Sequence, residues 1–241
     1  MSEAKWERLA AGTGIVGAVL FLIQAVVVAF PPQIDDPVDV VGHYYFVHRI
    51  AVQWQMFLTG AAGVFLLWFL GSLRSHLRTA EGGTGRLSAV AFGSAIAAAA
   101  PVAAGALATA VLALEVGRIG GMLPRVALAA SGAPIEAAPV VRLLHDIRLM
   151  SYSLSWFALA PFFAAVAVVS IRDGAFPRWH AQTSYGLFFV AIVAGAGLFA
   201  SGGVFAPGGV IGDAAFLLFL VWTAATSRLL MSRVGEPATG S

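Results

Sequence analysis

The sequence predicts an all-α fold: a polytopic membrane helical bundle of six transmembrane helices, with both termini on the cytoplasmic side. Three observations lead there. The 241 residues are 59% hydrophobic and only 11% charged, where a soluble domain carries about 25% charged residues. Six apolar segments, about 9–30, 50–73, 87–115, 148–171, 184–204 and 209–230, match the roughly 20 residues that a spanning helix needs. The basic residues are unevenly divided among the connections. With the N-terminus inside, Lys5, Arg8, Arg74, Arg78, Arg86, Arg172, Arg178, Arg228 and Arg233 lie on the inner side. Arg49, Arg118, Arg125, Arg142 and Arg148 lie on the outer side, nine against five, which is the bias that sets orientation. Little chain is left over, so residues 1–241 read as a single integral membrane domain.

Taken in order, Lys5 and Arg8 precede an apolar run that reaches Phe30. That is longer than the roughly 7–15 residues of a signal-peptide core, and Pro31-Pro32 follows in place of a small-residue cleavage site. The run is a retained first span. In "PPQIDDPVDVVGHYY", Asp36 as N-cap and Pro37 at the first helical position start a short helix. The second span opens on the polar stretch "HYYFVHRIAVQWQ", and "TAEGGTGR" is a plain flexible turn into the third. Within 117–147, "GRIGGMLPRVALAASGAPIEAAP" is apolar enough to lie on the outer face. The fourth span begins in "APVVRLLHDIRLMSYS" and becomes apolar only at Trp156, and "ASGGVFAPGG" turns the fifth span back into the sixth. Pro101 and Pro161 predict kinks, and "GTGIVGAVL" and "GAGLF" read as small-residue helix contacts. His76 and His180 fall in inner connections, where they are solvated.

Most polar residues collect in the outer third of the bundle. Gln24, His48, Arg49, Gln53, Gln55, Glu115, His145, Asp146, Arg148, Tyr152 and Asp213 map there, while the inner halves are almost wholly Ala, Val, Leu, Phe and Gly. An ionisable group at the centre of a spanning helix costs roughly 2.5–3.5 kcal/mol and persists where it pairs. His145, Arg148, Tyr152 and Ser155 follow helical spacing on one face of the fourth span, with Arg142 and Asp146 four apart beside them. In the second span Tyr45, Arg49, Gln53 and Met56 form one stripe and His48, Val52, Gln55 and Thr59 its neighbour. Such a wedge faces other helices or a wet cavity, not lipid. His48, Arg49, Gln53, Gln55, Arg148 and Tyr152 are therefore the candidate ligand-binding residues. A structural lock that closes the outer end of the bundle accounts for the same pattern.

The composition excludes several chemistries. There is no cysteine, so thiolate ligation and disulfides are out. His43 and His48 lie about 140° apart on a helix and do not share a metal. A haem between His48 and His145 is disfavoured because both sit at the edge of an apolar run. "EGGTGR" and "SGGVFAPGG" lack the Lys-Ser/Thr of a phosphate loop. No metal, no cofactor and no nucleic-acid partner is expected, since the basic residues are scattered singly.

The stretch "VFLLWFLGSLRSHLRTAEGGTGRLSAVAFGSAIAAAA", with "HR" at 48–49 and the later "LHDI", "GAFPRW" and "SGGVFAPGG", resembles a family of actinobacterial six-span integral membrane proteins carrying a domain of unknown function. The resemblance implies six spans and a bacterial inner membrane, and carries no activity.

The leading expectation is a protein whose outer-leaflet polar pocket holds a membrane lipid, isoprenoid or other amphiphile. The second is a membrane-embedded acid–base enzyme of cyclase or isomerase type, with Glu115, His145 and Asp146 as candidate catalytic residues. The third is an accessory subunit whose polar wedge meets a membrane protein partner.

Overall fold

A computed structural model describes residues 3–28, 31–122 and 138–233. Its elements are α1 (Glu3–Val27), α2 (Val38–Val47), α3 (Arg49–Glu81), α4 (Arg86–Met122), α5 (Ala138–Asp173), α6 (Arg178–Gly195), a 3-10 turn (Ala196–Phe199) and α7 (Val210–Arg233). The described residues contain no strand. All the helices except the ten-residue α2 are long and apolar enough to cross a membrane. The apolar stretch expected on the outer face lies largely outside the described residues.

Neighbouring helices close a ring in the order α1, α3, α4, α5, α6, α7 and back to α1. Helix α5 is the most enclosed, with 56% of its spanning window buried. Its sequence explains this. "WFALAPFFAAVAVV" is apolar all round, and Trp156, Ala160, Phe162, Phe163, Ala165, Val166, Ala167 and Val169 are all buried. A helix with no polar face has no side to give to water. The spans α1 and α3 instead keep Leu22, Val26, Trp54, Phe57 and Val64 exposed, as a lipid-facing surface requires.

The first turns of α1 and the last turns of α7 lie at one end of the bundle, the termini end, where they border a common groove and Ser227 of α7 donates to the Ala11 carbonyl. The turn between α3 and α4 is at the same end. Gly82, Gly83 and Gly85 take φ of 62°, 51° and 64° there, a region only glycine adopts freely. This turn is more than a flexible link. The Glu81 carboxylate accepts the Leu87 and Ser88 amides at 2.8 and 2.9 Å and satisfies orphan donors of α4.

Several sequence expectations shift along the chain. The short helix forms, with Pro37 as N-cap and Asp36 one residue outside. There Asp36 Oδ2 accepts the Gln33 amide at 2.7 Å. The helix of the fourth span starts at Ala138, so the polar stretch "APVVRLLHDIRLMSYS" is helical as expected and extends the 148–171 span by ten residues. The fifth begins at Arg178, with Pro177 at its N-cap. His180 is consequently not a solvated loop residue. It is fully buried. His76 lies within α3, partly buried, with Nε2 bonded to the Ala175 carbonyl at 2.8 Å.

Candidate functional site

The end away from the termini carries the polar cluster. Helix α2, the 31–37 segment and the first turns of α5 build it. The anchor is Arg142, which pairs with Asp146 at 3.2 Å and donates to the carbonyls of Asp36, at 2.8 Å, and Ile34. These bonds fix the 31–37 segment on α5. His145, fully buried, adds a bond from Nε2 to the Gln33 carbonyl at 3.2 Å. A carbonyl only accepts, so Nε2 carries the proton and Nδ1 holds a lone pair. That Nδ1 is buried and unpartnered.

Beside it, Tyr45 is 1% exposed, its ring edge-on to His145 with centroids 6.1 Å apart, and its hydroxyl is also unpartnered. Tyr45 is held there by a small apolar core of Val41, Val52, Leu112, Ala113, Val116 and Val141. Arg148, one turn along α5, is half-buried, and its Nη1 is enclosed with no hydrogen-bond partner. It forms no ion pair among the described residues. Its charge is felt at Tyr44 on the neighbouring α2. Burial pushes the Tyr44 phenol up to about 12, with the Arg148 charge opposing, so Tyr44 stays neutral at physiological pH. Outside Tyr44, the face of α2 forms a shallow groove of about 380 Å³ lined by Asp39, His43 and His48.

The other candidates divide. Glu115 is half-buried near the end of α4 and paired with Arg118 at 3.0 Å. Asp146 is engaged by Arg142. His48 is exposed, stacks on Tyr44 with centroids 4.6 Å apart, and its Nδ1 bonds to the Tyr44 carbonyl at 3.0 Å. Tyr152 donates to the Gly212 carbonyl at 2.8 Å and therefore ties α5 to α7, not to α3.

The expected wedge on the second span does not form as one surface. Its two stripes assume an unbroken helix from Tyr45 to Thr59, but α2 ends at Val47 and α3 starts at Arg49, with His48 at φ −97°, ψ 13° between them. Beyond that break Arg49 and Gln53 are exposed, Arg49 lying 5.8 Å from the Phe46 ring, while Gln55 is buried at 8% exposure. Arg49 and Gln53 at the surface and Gln55 in the interior therefore do not form one lining face.

A second polar network, which sequence reasoning missed, joins α6 to α7. Thr226 donates to the Trp222 carbonyl at 2.7 Å and accepts from His180 Nε2 at 2.7 Å. Ser184 donates to the His180 carbonyl at 2.8 Å and accepts from Trp222 Nε1 at 2.9 Å. The signal was present: His180/Ser184 and Trp222/Thr226 are each four apart, a matched pair of polar steps on consecutive helices.

Fold and site together define a multi-pass helical membrane protein with a polar cluster built on its most buried span. No protein-family model, no curated protein and no solved structure matches the chain.

Proposed function

We propose that the protein binds the anionic headgroup of an amphiphile at the end of the bundle away from its termini. In this reading it sits in a bacterial inner membrane, termini cytoplasmic on the nine-to-five distribution of basic residues, and Arg148 takes the headgroup in the outer leaflet. The observation that carries the reading is the Arg148 guanidinium, half-buried and without an ion pair among the described residues, one turn along α5 from the unpartnered Nδ1 of His145, against whose ring Tyr45 packs with its own hydroxyl unpartnered. A buried cation without a counter-ion is costly, and a phosphate or carboxylate matches its forked donors. The unpartnered Tyr45 hydroxyl, on the ring packed against His145, is a further donor.

The acid–base alternative has one supporting feature, the free lone pair on His145 Nδ1. Against it, both candidate carboxylates are held in ion pairs.

Native mass spectrometry tests the proposal through the sign of two effects. Wild-type protein extracted in mild detergent should carry an anionic amphiphile that Arg148→Gln loses. After delipidation the same variant should unfold no more easily than wild type, because it removes a half-buried charge that has no ion pair among the described residues. A variant that keeps the adduct, or one that is destabilised without any adduct in the parent, makes Arg148 structural.

A further inference from the structure

At the termini end, α1, α3 and α7 line a groove of about 850 Å³, larger than the α2 groove and at the opposite end of the bundle from Arg148. Its mouth is framed by Trp6 and Trp68, stacked at 6.4 Å with planes 12° apart, the placement that aromatic rings take at a membrane interface. Glu7 lies on the α1 wall and Arg233 on the α7 wall. They are opposite charges on one groove, yet no ion pair joins them, and Glu7 has no partner among the described residues. Arg233 Nη1 donates to the Ala175 carbonyl at 2.7 Å, and the guanidinium lies 5.8 Å from the Phe176 ring. Its position is thus fixed while its other donors stay available. Ser72 and Thr79 donate to carbonyls of their own helix at 3.4 and 3.0 Å, which leaves their oxygen lone pairs to accept.

We infer that this groove is a second site, independent of the first, which takes a zwitterionic phospholipid with a primary-ammonium headgroup, of the phosphatidylethanolamine type. Arg233 takes the phosphate. Glu7 takes the ammonium, whose three N–H donors also suit the hydroxyl oxygens along α3. Small residues at Ala10, Ala11 and Gly71 leave the floor open, and the exposed Leu67 on the groove wall, with Val64 one turn away on α3, continues an apolar track for the acyl chains. An anionic glycerol headgroup offers Glu7 only neutral hydroxyl donors and no counter-charge. A quaternary choline offers Glu7 charge but no N–H donor.

Full-length protein is delipidated and titrated with phosphatidylethanolamine, phosphatidylglycerol or phosphatidylcholine of identical chains, and retention is read by native mass spectrometry. The series is run in wild type and in the Arg148→Gln background, so that failure at either site is read separately. In both backgrounds phosphatidylethanolamine should bind at least about tenfold more tightly than the other two, the ratio expected for one charge-assisted hydrogen bond. Glu7→Gln should erase that preference, and Arg233→Gln should weaken all three lipids. Equal retention of the three lipids, or a preference that survives Glu7→Gln, overturns the inference. So does an Arg233→Gln variant with unchanged retention.

Discussion

Individual side chains at the two ends of the bundle differ in whether their polar atoms are satisfied. Thr226 is doubly engaged, accepting from His180 and donating to Trp222. Thr223, one turn earlier and equally buried, has a hydroxyl with no partner. Their isosteric replacements should therefore differ in sign. Thr226→Val leaves the His180 N–H buried and unpaired and should cost about 1–3 kcal/mol, more than the roughly 0.6 kcal/mol average for interhelical bonds in membranes. Thr223→Val removes a buried group that has no bond to lose, and should be neutral or slightly stabilising. Reversible unfolding in detergent measures both, and equal losses would mean that the α6–α7 network does not direct the energetics of this face. The same reasoning marks Arg148 and Tyr45 as exceptional, since buried polar groups are normally bonded.

Helices approach where small residues allow it. A Cβ added at Gly14 would fall 2.6 Å from the buried Phe69 ring, and one at Gly17 would fall 3.0 Å from Leu66. So α1 rests on α3 with backbone against side chain, the small-residue mode of membrane helix packing. Gly60, also on α3, is exposed and has open space around its Cβ direction. Gly14→Ala should destabilise the bundle by about 1–3 kcal/mol through overpacking, and Gly60→Ala should leave stability unchanged or raise it by up to about 1 kcal/mol through helix propensity. Chemical unfolding of the two variants side by side checks the contrast, and a Gly14→Ala protein as stable as Gly60→Ala would show that the α1–α3 interface is loose. Element boundaries follow similar local chemistry. Pro177 sets the start of α6 and Pro37 the start of α2, and the Glu81 carboxylate closes the start of α4.

For the molecule as a whole, the bundle was legible in the sequence because its signal is composition over long windows, which tertiary contacts do not alter. All six spans were found, and the concentration of polar groups at the end of α5 was visible from His145, Arg148 and Asp146. What escaped depended on details that periodicity averages away. The break at His48 turned Arg49 and Gln53 outward. Charged residues in "RDGAFPRWH" hid the first turn of α6, and with it His180. The groove at Glu7 and Arg233 is assembled from three helices distant in the chain, so no local pattern announces it. What unites the account is the claim that Arg148 is held on the most buried helix for a ligand and not for a side chain. A crystal structure of the protein grown from a lipid mesophase tests this most directly. The account predicts a headgroup oxygen about 2.7–2.9 Å from Arg148 Nη1, with the Tyr45 hydroxyl or His145 Nδ1 turned toward the same group. An Arg148 guanidinium paired instead with the Asp213 carboxylate, with no ligand among these residues, would contradict it.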